Sequence, residues 1–285
     1  MNLIVITGQT ATGKTALAVE LAKKYDGELI NFDSRQIYKH LDIITGKDLP
    51  TSQIHLYDIV TPDKYFSSFD YVEKARPLIE EIKSRGKTPI LVGGTYLYLK
   101  HLLYDFDVKV PPNFALRDIL NVKTVDELQT QLKKLSHDEL DGMNNSDKNN
   151  PRRLIRRIEI LSQSTSDEKP KITRKNEGHL NKLGVTSYIG IRYLNRDDLA
   201  KAINTRVKKR IEQGAVLEVK GLLDKGYKGS DPGMKTIGYQ ELIKYIKGDI
   251  GFDQAIEEWT NHEIQYAKRQ YTFMKKDNNI SWRNI

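Results

Sequence analysis

The 285-residue sequence contains no cysteine, which excludes disulfides and thiolate metal sites together. No apolar run approaches the ~20 residues of a membrane-spanning helix, and no basic leader with a cleavage site precedes the first apolar segment. The chain therefore reads as soluble and cytosolic. It has no internal repeat of fixed period, so a solenoid is not expected. Acidic side chains are in the minority, 38 Asp and Glu against 46 Lys and Arg, for a net charge of +8. That excess points to a polyanionic partner if it is clustered, and to little beyond solubility if it is spread.

What the chain does have begins at its start. The apolar run Leu3-Ile4-Val5-Ile6 ends in Gly8-Gln9-Thr10-Ala11-Thr12-Gly13-Lys14-Thr15, and Leu17, Val19, Leu21 and Ala22 follow at helical spacing. Strand, glycine loop and helix in that order are the context of a phosphate-binding P-loop. The glycines permit a turn tight enough for successive N–H groups to face an anion, and the helix N-terminus adds its positive end. Lys14 is expected to bridge the outer phosphate oxygens and the Thr15 hydroxyl to bind Mg²⁺. The motif leaves open whether the phosphate belongs to a nucleotide or to another molecule. Asp58 is available as a second acid near the metal, but a confident Walker B strand is missing, so ordinary ATP hydrolysis is poorly supported.

Further along, residues 28–32 alternate loosely and end at Asp33-Ser34-Arg35-Gln36. In a parallel sheet whose first strand feeds a P-loop, the carboxyl end of the next strand opens onto the same crevice, so Asp33 should face the phosphate site. The patterns predict a short helix and glycine loop over 37–47, a strand over 55–60 and a helix over 69–85 stopped by Gly86. A buried strand over 88–92 and a helix opened by Gly93-Gly94-Thr95 and running to Leu103 follow. From Val110-Pro111-Pro112 the character changes to helical patterns with polar loops at 144–150 and 162–178. The sequence turns apolar again over 185–193, and helices are expected over 196–213, 217–225 and 254–276. This alternation predicts an α/β fold, a P-loop NTPase-like parallel sheet flanked by helices. Residues 1–113 and 182–285 would form that core, and 114–181 a mostly helical insertion domain.

The clearest basic cluster is Arg152-Arg153-Leu154-Ile155-Arg156-Arg157-Ile158. On a helix starting after Pro151, Arg152 stacks over Arg156 and Arg153 over Arg157, opposite an apolar side. Four arginines without a lysine favour bidentate phosphate recognition over mere solubility. Between 203 and 211, Ile203, Val207 and Ile211 pack one side while Arg206 and Arg210 share another. Either arginine can reach a phosphate, although a surface ion pair is the default for any single one. Residues 235–240 form a glycine turn before a helix, and Tyr266, Lys268, Arg269, Gln270 and Tyr271 mix aromatic with basic side chains.

Taken together, GQTATGKT, DSRQIYKHLDIITGK, HLYDIVTP, LVGGTYLYLK, NNPRRLIRRIE, RVKKRIEQGAVLEV, KTIGY and AKRQYTF occur in the order seen in the tRNA dimethylallyltransferases, and the resemblance runs over almost the whole chain. The family's usual P-loop has Pro where this chain has Gln9, and often Ser at Thr12. Its DIGTAK block is Asp42-Ile43-Ile44-Thr45-Gly46-Lys47 here, and the stretch from Arg117 to Thr124 is shorter than usual. The resemblance implies transfer of an isopentenyl group from dimethylallyl diphosphate to the exocyclic N6 of the adenine beside a tRNA anticodon, with diphosphate as leaving group. It assigns Asp33 as the base. The P-loop residues Gly8, Gln9, Thr10, Ala11, Thr12, Gly13, Lys14 and Thr15, with Mg²⁺ on Thr15 and Arg206 from the later helix, would hold the diphosphate. Thr95 resembles the family's contact to the target nucleotide. Ser34, Arg35, Gln36, Arg117, Arg152, Arg153, Arg156, Lys235, Gly238 and Tyr239 match its tRNA-binding surface. A monomer is expected.

Three other readings remain distinguishable. An isopentenyltransferase acting on free adenine nucleotides needs the same P-loop and acid but has no use for an arginine-bearing insertion. A P-loop small-molecule kinase would consume ATP and should carry a lid arginine pair and a clear metal-binding acid. A non-enzymatic RNA-binding protein would form no product.

Overall fold

The computed structural model describes residues 2–47, 53–104, 110–163 and 183–285. It forms two compact units, Met1–Tyr104 with Glu177–Ile285, and Asp105–Asn176. The first is built on strands β1 (Leu3–Gly8), β2 (Gly27–Asn31), β3 (Ile54–His55), β4 (Thr88–Val92), β5 (Val185–Arg192) and β6 (Ser281–Asn284). All pair in parallel, in the order β3-β2-β4-β1-β5-β6. Before the second unit come helices α1 (Lys14–Lys24), α2 (Ser68–Ser84) and α3 (Tyr96–Leu103).

The apolar run in β1 is continuous because both faces of the sheet are covered, and side chains alternate between them. Leu3 and Val5 join Tyr71, Ala75 and Ile79 of α2 and Leu99 and Leu102 of α3 in one core. Ile4 and Ile6 point the other way, onto Ala18 and Ala22 of α1. A capping box, Ser67 with Asp70, starts α2, and Gly86, at φ 77, allows the turn after it. With β1 central and β2 and β4 on one side, three strand ends, at Gly8, Asn31 and Val92, open along the same edge of the sheet.

The second unit consists of α4 (Phe114–Asn121), α5 (Val125–Leu135), α6 (His137–Asp141), α7 (Asn145–Lys148) and α8 (Pro151–Gln163) around Leu120, Leu128, Leu132, Leu140, Leu154, Ile155 and Ile158. A second capping box, Thr124 with Glu127, starts α5. After this unit the chain returns through β5 to α9 (Arg196–Glu212), α10 (Ala215–Asp224), α11 (Tyr239–Lys247) and α12 (Phe252–Met274). These helices enclose a further core of the first unit that includes Ile37, Leu41, Ile44, Val207, Leu242 and Trp259.

Several local expectations are corrected. Residues 37–47 form turns, not a helix, because Glu218 accepts the N–H groups of Asp42, Ile43 and Ile44 at 2.9, 2.6 and 3.2 Å. The strand expected over 55–60 stops at His55, since Leu56 and Asp58 adopt left-handed backbone conformations, with φ 65 and 56. The loop at 144–150 contains α7. Of the loop at 162–178, residues from 164 onward lie outside the described residues, as do residues 181 and 182 where the core was expected to resume.

Gly8 shows why the P-loop strand needs glycine at its end. Its φ is 140, and a Cβ there would lie 2.1 Å from the Ile191 carbonyl oxygen of β5. The obstacle is backbone and cannot swing aside. Gly8→Ala is therefore expected to cost roughly 2–4 kcal/mol of stability. A thermal melt that matches the parent would contradict this.

Candidate active site

The strand ends border a cavity of about 490 Å³ whose walls include Thr10, Ala11, Thr12, Gly13, Lys14 and Thr15. Gly13, at φ 75, is the N-cap residue of α1 and supplies no side-chain cap. The first N–H groups of the helix are thus not covered by a capping side chain, an arrangement suited to an anion. Gly8 and Gln9 stand behind the loop. Gln9 takes the Tyr193 N–H at 2.9 Å and donates to the Ala267 carbonyl at 3.3 Å, tying the loop to the end of β5 and to α12.

Lys14 donates to the Gln9 carbonyl. Although its side chain is reachable along the cavity wall, it sits deep enough that burial, followed by the nearby Arg206, pulls its pKa down to about 7, against the opposing pull of Asp33 and Glu263. A bound anion would replace the missing counter-charge.

Asp33 lies just beyond β2 and faces the same cavity. Its position is fixed by its neighbours. The fully buried Asn31 accepts the Asp33 N–H at 2.8 Å and donates to the Asp33 and Leu56 carbonyls at 3.2 and 3.3 Å. Asp33 Oδ1 accepts the Arg35 N–H at 2.9 Å. Oδ2 points toward Gly94, where a Cβ would come within 3.6 Å of it. Thr95, the N-cap residue of α3, accepts the Ser34 N–H at 2.9 Å and donates to the Ser34 hydroxyl at 3.1 Å, so it braces the loop carrying the acid. The Gly93-Gly94 pair allows this approach, since a Cβ on Gly93 would meet the Phe32 backbone at 2.8 Å. Arg35 and Gln36 line the cavity, whereas Ser34 and Thr95 act one layer behind.

The opposite wall is cationic. Arg206 of α9 donates to Thr10 Oγ1 at 2.9 Å, and one turn later Arg210 is 4 % exposed and 3.6 Å from Glu263 of α12. Gln270 joins the two halves of the site by accepting the Thr10 N–H at 2.8 Å and donating to the Gly94 carbonyl at 3.1 Å. Lys235, Tyr266 and Arg269 complete this side. Sequence reasoning missed Glu263 entirely and did not single out a bridging role for Gln270. The available signal was spacing, since positions 263, 266 and 270 lie on one face of α12.

Not every expected residue reaches the cavity. Gly238 packs against Ile44 and Trp259, and Tyr239 is fully buried with its hydroxyl on Glu218. Asp58 pairs with Lys47 at 2.5 Å, and Asp42 meets the same ammonium at 2.8 Å, so Asp58 supports the 37–47 segment and does not line the site. In the second unit the arginine column is largely engaged. Arg117 and Arg156 both bind the buried Glu159, Arg153 pairs with Asp147 and Arg157 with Glu139 at 2.8 Å. Arg152 is exposed. These carboxylates order the guanidinium groups and neutralise part of the charge that the sequence assigned to RNA.

The family described as IPP transferase matches residues 36–277. The tRNA dimethylallyltransferase of Staphylococcus haemolyticus is 37 % identical over 99 % of this chain and 86 % of its own length. That of Bacillus pumilus is 36 % identical over 98 % and 88 %. Among solved structures, the tRNA isopentenylpyrophosphate transferase of Bacillus halodurans is 32 % identical with a TM-score of 0.69, covering 99 % of this chain and 89 % of that one. A eukaryotic dimethylallyltransferase, solved in snapshots of its action on tRNA, is 26 % identical with a TM-score of 0.77, covering 100 % of this chain and 74 % of that one.

Proposed function

The chain belongs to the IPP transferase family, and from that premise we infer that it transfers a dimethylallyl group from dimethylallyl diphosphate to N6 of the adenine 3′-adjacent to a tRNA anticodon. The observation that supports this most directly is one cavity holding a P-loop on one side and Asp33 on the other. The N6 lone pair is delocalised into the adenine ring, so the amine needs a carboxylate to orient it and accept its proton. Asp33 Oδ2 supplies that acceptor. As the N6–C bond forms, the C–O bond of the donor breaks and its electron pair stays on the diphosphate oxygen. The charge that grows there is met by the P-loop N–H groups, Lys14 and Arg206.

Mg²⁺ fits this donor set. Among the described residues no group of three or more His, Cys, Asp or Glu is placed to hold a metal, yet Thr15 and Asp33 bring hard oxygen donors to the cavity wall. Mg²⁺ commonly takes only one or two protein ligands and fills the rest with phosphate oxygens and water. Thr15 would hold the ion, which when bound neutralises diphosphate charge. Thr95, behind the cavity wall, acts on the target nucleotide through the acid loop that it braces with Ser34. Arg35, Gln36 and Lys235 at the cavity contact tRNA, as do Arg117, Arg152, Arg153 and Arg156. An adenine stacked in the anticodon loop is out of reach of a cavity and is extruded into it. Among the described residues no helix is long and apolar enough to cross a membrane, and the enzyme acts in the cytoplasm as a monomer.

Incubation of the protein with labelled dimethylallyl diphosphate, Mg²⁺ and either tRNA or free adenine nucleotide tests the reading. Label is expected on N6 in tRNA and not on the free nucleotide. Label on the nucleotide alone, or on neither, would overturn it.

A further inference from the structure

The cationic wall contains a carboxylate that the reaction does not use. Glu263 is 8 % exposed and lines the cavity, with Arg210 Nη1 3.6 Å away and the Trp259 indole N–H donating to it at 3.4 Å. Arg206 and Arg210 both end against Gly46, where a Cβ would lie 2.7 Å from one guanidinium and 2.2 Å from the other. Lys14 is close enough to sense Arg206, Asp33 and Glu263 together. Two guanidinium groups and the ammonium of Lys14, which their neighbourhood already pushes toward its neutral form, thus share one wall, and like charges this close repel strongly away from bulk water. Asp33 also acts on Lys14, more strongly than Glu263 does, but Glu263 is the acid set against Arg210 and within reach of Arg206 as well. Burial raises its pKa above the ordinary carboxylate value, and Arg206, Trp259, Thr10 and Lys14 pull it back. The 3.6 Å separation from Arg210 is too long for a hydrogen bond. The pair is therefore a charge balance and not a geometric clamp.

We propose that Glu263 is the counter-ion of the diphosphate cradle, a positioning residue that steadies Arg210, Arg206 and Lys14 in the donor-free enzyme and hastens departure of the free diphosphate. The inference rests on the reading above that this cavity holds the donor. Breaking the C–O bond leaves its electron pair on oxygen, so the released diphosphate carries one more ionisable oxygen than the donor did. A fixed negative charge beside the cradle opposes the product more than the substrate.

The test is inhibition by inorganic diphosphate measured beside KM for the donor, in the full-length protein. Glu263→Gln is expected to tighten inhibition by about tenfold, with a smaller change in KM. Glu263→Asp, which keeps the charge, should stay near the parent. Because Glu263→Gln leaves Arg210 buried without its partner and can cost stability, the double variant Arg210→Met with Glu263→Gln is measured too. It should return toward the parental inhibition constant, while Arg210→Met alone weakens inhibition. A purely structural role predicts parallel loss of donor and diphosphate affinity in Glu263→Gln, and that result, or an unchanged inhibition constant, would overturn the proposal. A parent enzyme that diphosphate does not inhibit at all would remove the donor-site reading along with it.

Discussion

Replacement of Asp33 by alanine is expected to lower kcat by about 10²–10⁴ while KM for the prenyl donor stays near its original value, the range for loss of a positioned base. The split follows from where Asp33 sits. It stands on the β2 edge of the cavity, whereas the residues that would hold the donor belong to the loop after β1, the first turn of α1 and α9. Its carboxylate is held by the Arg35 N–H and its backbone by Asn31, so little reorientation is needed when the amine arrives. Asp33→Asn keeps the shape and can still accept a hydrogen bond, but is a poor proton acceptor, and should be nearly as slow as the alanine variant. Single-turnover assays on tRNA read the chemical step directly, and a rate within a fewfold of the parent would remove Asp33 from the mechanism.

Loss of the Arg206 side chain is expected to cost roughly 10²–10³ in kcat, the size found when one preorganised donor to a developing charge is removed. Its guanidinium is held on Thr10 Oγ1 at 2.9 Å and approaches the Thr45 carbonyl at 3.5 Å. Both hydrogen-bond partners are neutral and Glu263 acts on it only through space, so no carboxylate occupies the donors that would meet the leaving group. Arg206→Lys should recover only part of the rate, since a point charge cannot reproduce the planar fork. An Arg206→Ala enzyme with normal turnover and normal affinity for diphosphate would make the residue structural.

The parts of the site written in contiguous residues are legible in the sequence. The P-loop was one, because strand, glycine turn and helix follow each other within residues 3–24. Asp33 was another, because the edge of a parallel sheet is set by chain direction. Glu263 was hidden for a physical reason. Its charge partner, Arg210, lies on another helix, and although each is a charged residue on the buried face of its own, beside Val207 in α9 and Trp259 in α12, nothing local to either segment joins the two. The arginine column was legible only in part. Helical spacing placed the guanidinium groups on one side, but their acids, Glu139, Asp147 and Glu159, come partly from α6 and α7, which local pattern does not connect to α8. The edge strand β6, only 4 residues long, carried too little alternation to be read. The stretch over 37–47 looked helical until Glu218, far along the chain, claimed its N–H groups.

The account turns on what the P-loop grips. A crystal structure of the protein with Mg²⁺ and an unreactive thio-analogue of dimethylallyl diphosphate tests this most directly. The prediction is both phosphorus atoms within the loop of residues 10–15, their oxygens in contact with Lys14 and Arg206, and Asp33 facing the prenyl carbon across the cavity. Phosphates bound away from Lys14, or Asp33 turned out of the cavity with the donor in place, would contradict it.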